Sequence, residues 1–77
     1  MLDKVIILTS EFFKVDKNEL NKDTTADDIE DWDSLAHASF IVFLEKELGI
    51  TFELNEIMNI KDLGDLSDLI EKLLKNN

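Results

Sequence analysis

A chain of 77 residues has room for only one small hydrophobic core, so we expect a single domain over residues 1–77. It has no cysteine and one histidine, which excludes disulfides, thiol nucleophiles and zinc sites built from cysteine or histidine. Its net charge of -10 excludes ready binding to nucleic acids or anionic membrane surfaces and favours basic partners.

The amino-terminal segment predicts no export or membrane insertion. Residues 1–10 lack the long apolar stretch and the small-residue cleavage site of a signal peptide. No apolar run in the chain approaches the roughly 18 residues that span a bilayer. We therefore expect a soluble, cytoplasmic protein with no membrane-inserted segment, and the high charge favours a monomer.

The first predicted element is an amphipathic helix that ends near Lys14. The residues that recur at the three- and four-residue spacing of one helix face are Leu2, Val5, Ile6, Thr9, Phe12 and Phe13. From Val15 to Trp32 the helical pattern is absent, which predicts a long ordered loop. The isolated apolar residues expected to hold this loop against the core are Leu20, Ala26, Ile29 and Trp32.

The second predicted helix follows Asp33 and Ser34, runs through Leu48 and ends at Gly49, a residue favoured just past a helix end. The residues expected to face the core are His37, Phe40, Ile41, Leu44 and Leu48. The residues on the opposite side are Leu35, Ser39, Val42 and Lys46. Because Phe43 lies between these faces, the helix is apolar nearly all round, which indicates burial, a ligand cavity or a partner surface.

The last third of the chain predicts two more helices. Residues 54–60 have room for one or two turns, with Ile57, Met58 and Ile60 as core contacts. Asp62 as the N-cap and Asp65 in the first turn then begin a final helix. The apolar stripe of that helix is Leu66, Leu69, Ile70, Leu73 and Leu74. The predicted fold class is all-α: a four-helix bundle of three main helices and one short helix, with a long first loop.

The sequence gives little support for a catalytic site or a metal site. The only histidine, His37, lies on the core-facing side of its helix, so a satisfied packing role fits better than a place in a hydrolytic triad. The acids of the long loop lack the spacing of a calcium loop: counting from Asp16, Leu20 falls on a ligand position and Asn21 on the glycine position. We therefore predict a solvated acidic loop and no metal site.

The segment from Asp31 to Leu35 joins the long loop to the second helix. A serine at a helix start lies near unpaired N–H groups and the positive end of the helix dipole, which suits a phosphate ester on Ser34. Asp33 beside it can help to hold Mg²⁺ for a transferase. A simpler interpretation makes Asp33 or Ser34 only an N-cap, and spacing alone leaves both interpretations open.

Asp33-Ser34-Leu35, placed after an acidic loop and before an amphipathic helix, resembles the attachment motif of the acyl carrier and peptidyl carrier family. Trp32 and His37 around this motif, and the stretches 44–50 and 60–66, extend the resemblance over nearly the whole chain. Length, acidity and helix order agree with it.

The resemblance implies that Ser34 carries 4′-phosphopantetheine through a phosphodiester, with Asp33 and Leu35 beside it. A phosphopantetheinyl transferase would attach the arm from coenzyme A, using Mg²⁺ only transiently. The chain would then be a carrier and not an enzyme. It would deliver acyl intermediates as thioesters between biosynthetic enzymes of a fatty acid or a specialised acyl pathway.

The resemblance also implies that Leu35 and Val42 are exposed beside the arm, where basic-faced acyl-transferring or synthase enzymes dock. Ala36 and Ser39 stand where many fatty-acid carriers have acids, which favours a dedicated pathway. The acids left to steer partners are Asp31, Asp33, Glu45, Glu47, Glu53 and Glu56.

Three questions stay open at this stage. The interior residues that would shelter an acyl chain are equally explained by core packing: Phe40, Ile41, Leu44, Ile57 and Leu69. An aminoacyl or peptidyl carrier would share the arm and differ in cargo. An unmodified acidic helical interaction module would use Ser34 only as a cap.

Overall fold

Four α-helices form a bundle in a computed structural model that describes residues 1–75 of the chain. Their bounds are α1 Leu2–Phe13, α2 Ser34–Leu48, α3 Leu54–Met58 and α4 Leu63–Lys75. The described part of the chain contains no strand, so the predicted all-α class is confirmed. The last two residues of the domain expected over 1–77 lie outside the described residues.

The core is built from one face of each long helix. The side chains that are fully or almost fully enclosed are Val5, Thr9, Phe40, Leu44, Leu63, Leu66 and Ile70. Phe12 and Phe13 at the end of α1 contact the ring of Phe40 in α2, with centroid distances of 5.1 and 5.2 Å. These ring contacts join α1 to α2, and aromatic pairs at this spacing add to the stabilisation that burial supplies.

The long loop between α1 and α2 is ordered and contains two short 3₁₀ helices, Lys17–Glu19 and Ala26–Asp28. Three of the four apolar residues predicted to hold it to the core do so: Leu20 and Ile29 are buried, and Trp32 is half-buried. Ala26 is half-buried but is not packed against the core.

Backbone hydrogen bonds also fix the loop to the start of α4. The N–H of Leu63 donates to the carbonyl of Thr24 at 2.9 Å, and the N–H of Gly64 donates to the carbonyl of Lys22 at 2.8 Å. The first N–H groups of a helix have no partner inside it, so the loop completes the first turn of α4. The Asp62 side chain accepts from the N–H of Asp65 at 2.8 Å, as expected of an N-cap.

The two faces predicted for α2 are confirmed. Phe40, Ile41 and Leu44 are buried, whereas Leu35 is 78% exposed and Val42 is 49% exposed. The helix ends at Gly49 with a left-handed backbone (φ 65°), and the Gly49 N–H donates to the carbonyl of Glu45. Glycine suits this position because it has no Cβ to clash there.

The core contact predicted for Met58 is wrong, and Leu74, predicted in the apolar stripe of the last helix, is 37% exposed. Met58 is 73% exposed, while Ile57 and Ile60 are half-buried and pack against the core. The reason is geometric: α3 has only five residues, and successive side chains on a helix turn by about 100°. With Ile57 turned inward, its neighbour Met58 faces solvent.

No helix within residues 1–75 is both long enough and apolar enough to cross a bilayer.

Candidate functional site

The junction between the loop and α2 separates the roles of Asp33 and Ser34. Asp33 Oδ1 accepts from the N–H of Ala36 at 2.8 Å, and the Asp33 carbonyl accepts from the N–H of His37 at 2.8 Å. Asp33 is therefore the N-cap. Ser34 is exposed as the first residue of α2, and its hydroxyl makes no hydrogen bond to any residue in the described range. The cap leaves this hydroxyl available for chemistry.

An open groove of about 540 Å³ is lined in part by Ser34. It runs between the end of the loop, the first turn of α2 and the short helix α3. The residues that line it are Ala26, Trp32, Asp33, Ser34, His37, Ile57, Met58 and Ile60. Ser34 thus stands at the edge of a cleft with both apolar and polar walls.

Trp32 and His37 form one wall of the groove through a direct contact. The indole Nε1–H of Trp32 donates to Nδ1 of His37 at 2.9 Å, and the two ring planes are inclined by 23° with centroids 5.9 Å apart, so the rings meet edge to edge. Trp32 also stacks on Phe13, with centroids 4.8 Å apart. His37 is half-buried and hydrogen-bonded, as predicted, and the contact ties the loop to α2.

The buried core residues do not line the groove. Of the five residues considered as lining for an acyl chain, Ile57 alone borders the groove. Phe40, Ile41 and Leu44 are packed inside the core, and Leu69 is half-buried against it.

The acids predicted to steer partners fall into two groups. Asp31, Asp33, Glu47 and Glu53 are exposed. In contrast, Glu45 is half-buried, and its Oε2 accepts from the N–H of Phe52 at 2.9 Å.

Glu56 also belongs to the second group. Its Oε1 accepts from the N–H of Glu53 at 3.2 Å, and its Oε2 lies 4.0 Å from Lys72 Nζ. The carboxylates of Asp33, Glu45 and Glu56 therefore have partners within the fold, and Glu53 shares the capping box of α3 with Glu56. Asp31 and Glu47 are exposed.

Sequence reasoning missed the exposed apolar face of α3. Leu54 is 71% exposed and Met58 is 73% exposed, and Met58 borders the groove beside Ser34. Their separation by four residues places them on one side of a helix, which was the available signal. With Leu35 and Val42 on α2, they give both helices exposed apolar side chains.

In the described part of the chain, no three or more histidine, cysteine or acidic residues are grouped so as to hold a metal ion.

Three comparisons with known proteins give consistent matches. A family model described as a phosphopantetheine attachment site matches residues 3–70. An acyl carrier protein homolog of Mycoplasma genitalium is 45% identical over 42 residues, which cover 54% of this chain and 50% of that relative. The match thus spans about half the length of that relative.

The third match is a solution NMR structure of holo acyl carrier protein from Geobacter metallireducens, which superposes with a TM-score of 0.88 at 40% sequence identity. The superposition covers 97% of this chain and 86% of that chain.

Proposed function

Because the chain belongs to the phosphopantetheine attachment family, which includes the acyl carrier proteins, we propose that Ser34 is the residue that carries its 4′-phosphopantetheine arm. Proteins of this family are carriers and not enzymes, and they interact with synthases and transferases.

The observation that carries the proposal is the division of roles at the start of α2. Since Asp33 caps the helix, the exposed Ser34 hydroxyl is free to act as the nucleophile. It would attack the phosphorus of coenzyme A that bears the pantetheine group. The bond formed is Oγ–P, the bond broken joins that phosphorus to the adenosine bisphosphate leaving group, and the serine proton passes to a base on the transferase. Asp33 Oδ2 has no hydrogen-bond partner among residues 1–75 and remains available to Mg²⁺ during transfer.

The residues of the chain fit a pantetheine arm. The groove beside Ser34 offers apolar contacts through Ile57, Met58 and Ile60, together with a polar wall at His37. When bound, the arm supplies the thiol that holds cargo as a thioester, a group that this cysteine-free chain lacks. The protein supplies the attachment point, the groove and the surface that enzymes recognise.

We further propose that the cargo is an acyl intermediate passed between biosynthetic enzymes of a dedicated pathway. Ala36 and Ser39 support this, since neither gives α2 the negative charge that many fatty-acid carriers have there. The docking surface proposed for basic partners combines exposed apolar residues, Leu35 and Val42, with exposed acids, Asp31, Glu47 and Glu53. Glu45 and Glu56 would contribute charge at its edge while keeping their partners within the fold.

Intact-protein mass tests the attachment site. The wild type, Ser34→Ala and Ser39→Ala are incubated with coenzyme A, Mg²⁺ and a phosphopantetheinyl transferase of broad specificity. We expect the wild type and Ser39→Ala to gain the mass of one arm and Ser34→Ala to gain nothing while remaining folded by circular dichroism. Ser39→Ala is the matched control, because Ser39 is an exposed serine on the same helix.

Two results would contradict the proposal. A mass gain in Ser34→Ala would place the arm on another residue. No gain in the wild type with a transferase active on a known carrier would favour an unmodified acidic interaction module.

A further inference from the structure

His37 has one nitrogen whose role the attachment of an arm does not explain. An indole N–H can only donate, so the 2.9 Å contact with Trp32 requires a lone pair on His37 Nδ1. A neutral imidazole with a lone pair on Nδ1 carries its proton on Nε2. Trp32 therefore selects the tautomer in which Nε2–H is the free donor.

This Nε2–H is open to solvent. Within residues 1–75 every buried side-chain nitrogen or oxygen has a hydrogen-bond partner, and His37 Nε2 has none among these residues. An unpaired nitrogen on a half-buried residue must then be one of its accessible atoms. Because His37 borders the groove, the edge of the ring that carries Nε2 is the part free to meet a ligand there.

No other side chain of the groove offers an uncommitted donor once Ser34 is esterified. The Trp32 N–H is already bonded to His37, and Asp33 carries only acceptors when ionised. The other residues that border the groove have apolar side chains: Ala26, Ile57, Met58 and Ile60.

The helix start supplies only some of the donors that a phosphate can accept from. The N–H groups of Ala36 and His37 are already bonded to Asp33, which leaves those of Ser34 and Leu35. The Asp33 carboxylate also places a negative charge next to any phosphate on Ser34, and like charges at this separation repel. A phosphodiester there therefore gains from a donor on the groove side.

We propose that His37 is a positioning residue whose Nε2–H donates a hydrogen bond to a phosphodiester oxygen on Ser34, with Trp32 fixing the required tautomer. Residues three apart on a helix are neighbours on its surface, which puts His37 beside the phosphate. This hydrogen bond would hold the phosphodiester on the groove side of Ser34. This inference rests on the proposed function, since it requires the arm to be on Ser34.

The test is NMR of the protein before and after attachment, with intact mass used first to establish that each sample carries the arm. Long-range ¹H–¹⁵N spectra should show an unprotonated Nδ1 and a protonated Nε2 in His37, with Nε2 shifting on attachment. The ³¹P resonance of the phosphodiester should be displaced from that of a free phosphopantetheine diester.

Four variants separate this donor from a purely structural role. His37→Gln supplies an acceptor for the indole and a donor for the phosphate, so it should retain the ³¹P displacement. His37→Phe keeps a ring that has no donor, so it should lose the ³¹P displacement. Trp32→Phe keeps an aromatic ring but loses the N–H, so the imidazole should show mixed tautomers. The ³¹P resonance should then show only part of its displacement. Ser39→Ala should match the wild type.

An identical ³¹P shift in wild type and His37→Phe would overturn the inference, as would a proton on Nδ1 in the wild type. If His37→Phe fails to fold, the tautomer and ³¹P shift in Trp32→Phe decide the matter, because that variant keeps the histidine. If the wild type never gains the arm, the proposed function fails and this inference fails with it. An arm without the ³¹P displacement overturns only the inference.

Discussion

Two adjacent residues at the start of α2 perform different tasks because their side chains differ in reach and chemistry. The carboxylate of Asp33 reaches the N–H of Ala36 and closes the helix end. The shorter hydroxyl of Ser34 has no hydrogen bond to make among the described residues and faces solvent. The helix therefore does not depend on the group that is proposed to be modified.

Removing the cap should cost stability without removing the attachment point. We predict that Asp33→Ala lowers the free energy of unfolding by about 1 kcal/mol, because an N-terminal N–H loses its acceptor. Urea denaturation followed by circular dichroism measures the change. Asp31→Ala is the control, since Asp31 is exposed and does not cap α2. Equal effects of the two substitutions would show that charge and not capping is responsible.

For single residues, the sequence predicts those features that depend on neighbouring residues in the chain. Asp33, Ser34 and Gly49 could be identified because capping and helix ends depend on a few neighbouring residues. The exposure of Met58 could not be predicted, because tertiary packing determines which side of such a short helix faces the core. The contact of Glu45 with the Phe52 N–H was also invisible, since it depends on the path of the chain after Gly49.

At the scale of elements, the long loop and α4 hold each other through a close backbone contact. A Cβ added at Gly64 would lie 3.0 Å from the carbonyl oxygen of Lys22, to which the Gly64 N–H donates. A main-chain oxygen cannot swing aside as the end of a long side chain can. A side chain at position 64 would therefore require the loop and α4 to move slightly apart.

This contact should reverse the usual effect of replacing a helical glycine. Alanine normally favours a helix by up to about 1 kcal/mol, but overpacking costs about 1–3 kcal/mol. We predict that Gly64→Ala lowers the free energy of unfolding by about 1 kcal/mol net, measured by urea denaturation. Asp68→Ala, at an exposed position of α4, should change it little. A more stable Gly64→Ala would mean that the loop moves away at no cost.

The exposed apolar residues of α2 belong to the same scale. We predict that Leu35→Ala lowers the kcat/KM of arm transfer by the transferase about tenfold, the equivalent of roughly 1.4 kcal/mol, because a docking enzyme would bury this side chain. Ile7→Ala is the matched control, since Ile7 is an exposed apolar residue on α1. Equal losses in both variants would point to a general effect on the fold and not to docking at α2.

The order and approximate bounds of the helices could be predicted, because the helical spacing of apolar residues and the capping residues are both local patterns in the sequence. The two 3₁₀ helices of the loop and its bonds to α4 could not. Those bonds join Lys22 and Thr24 to residues some 40 positions later, and no local pattern encodes such a pairing. The groove was likewise missed, since it exists only where the loop, α2 and α3 meet.

At the scale of the whole molecule, the acidic surface opposes its own folding. The net charge is -10, and Lys72–Glu56, at 4.0 Å, is the one ion pair within residues 1–75. Repulsion between the unpaired acids is therefore the larger electrostatic effect. The same excess of negative charge would attract the basic partners proposed above.

Salt should therefore stabilise the fold. Between about 0.01 M and 1 M NaCl the screening length falls from about 30 Å to about 3 Å. We predict a rise in Tm of about 5 °C, which corresponds to roughly 1 kcal/mol for a small domain. An Asp27→Asn, Glu30→Gln double variant should show a smaller rise, because both acids are exposed. A falling Tm would mean that attractive ion pairs outweigh the repulsion.

Peptide-mapping mass spectrometry of the protein purified from its own cells would locate the arm and so test whether Ser34 carries it. We expect one phosphopantetheine group on the peptide that contains Ser34, with Ser10, Ser39 and Ser67 unmodified. An arm on another residue, or an unmodified Ser34 in cells whose other carriers are modified, would contradict the account.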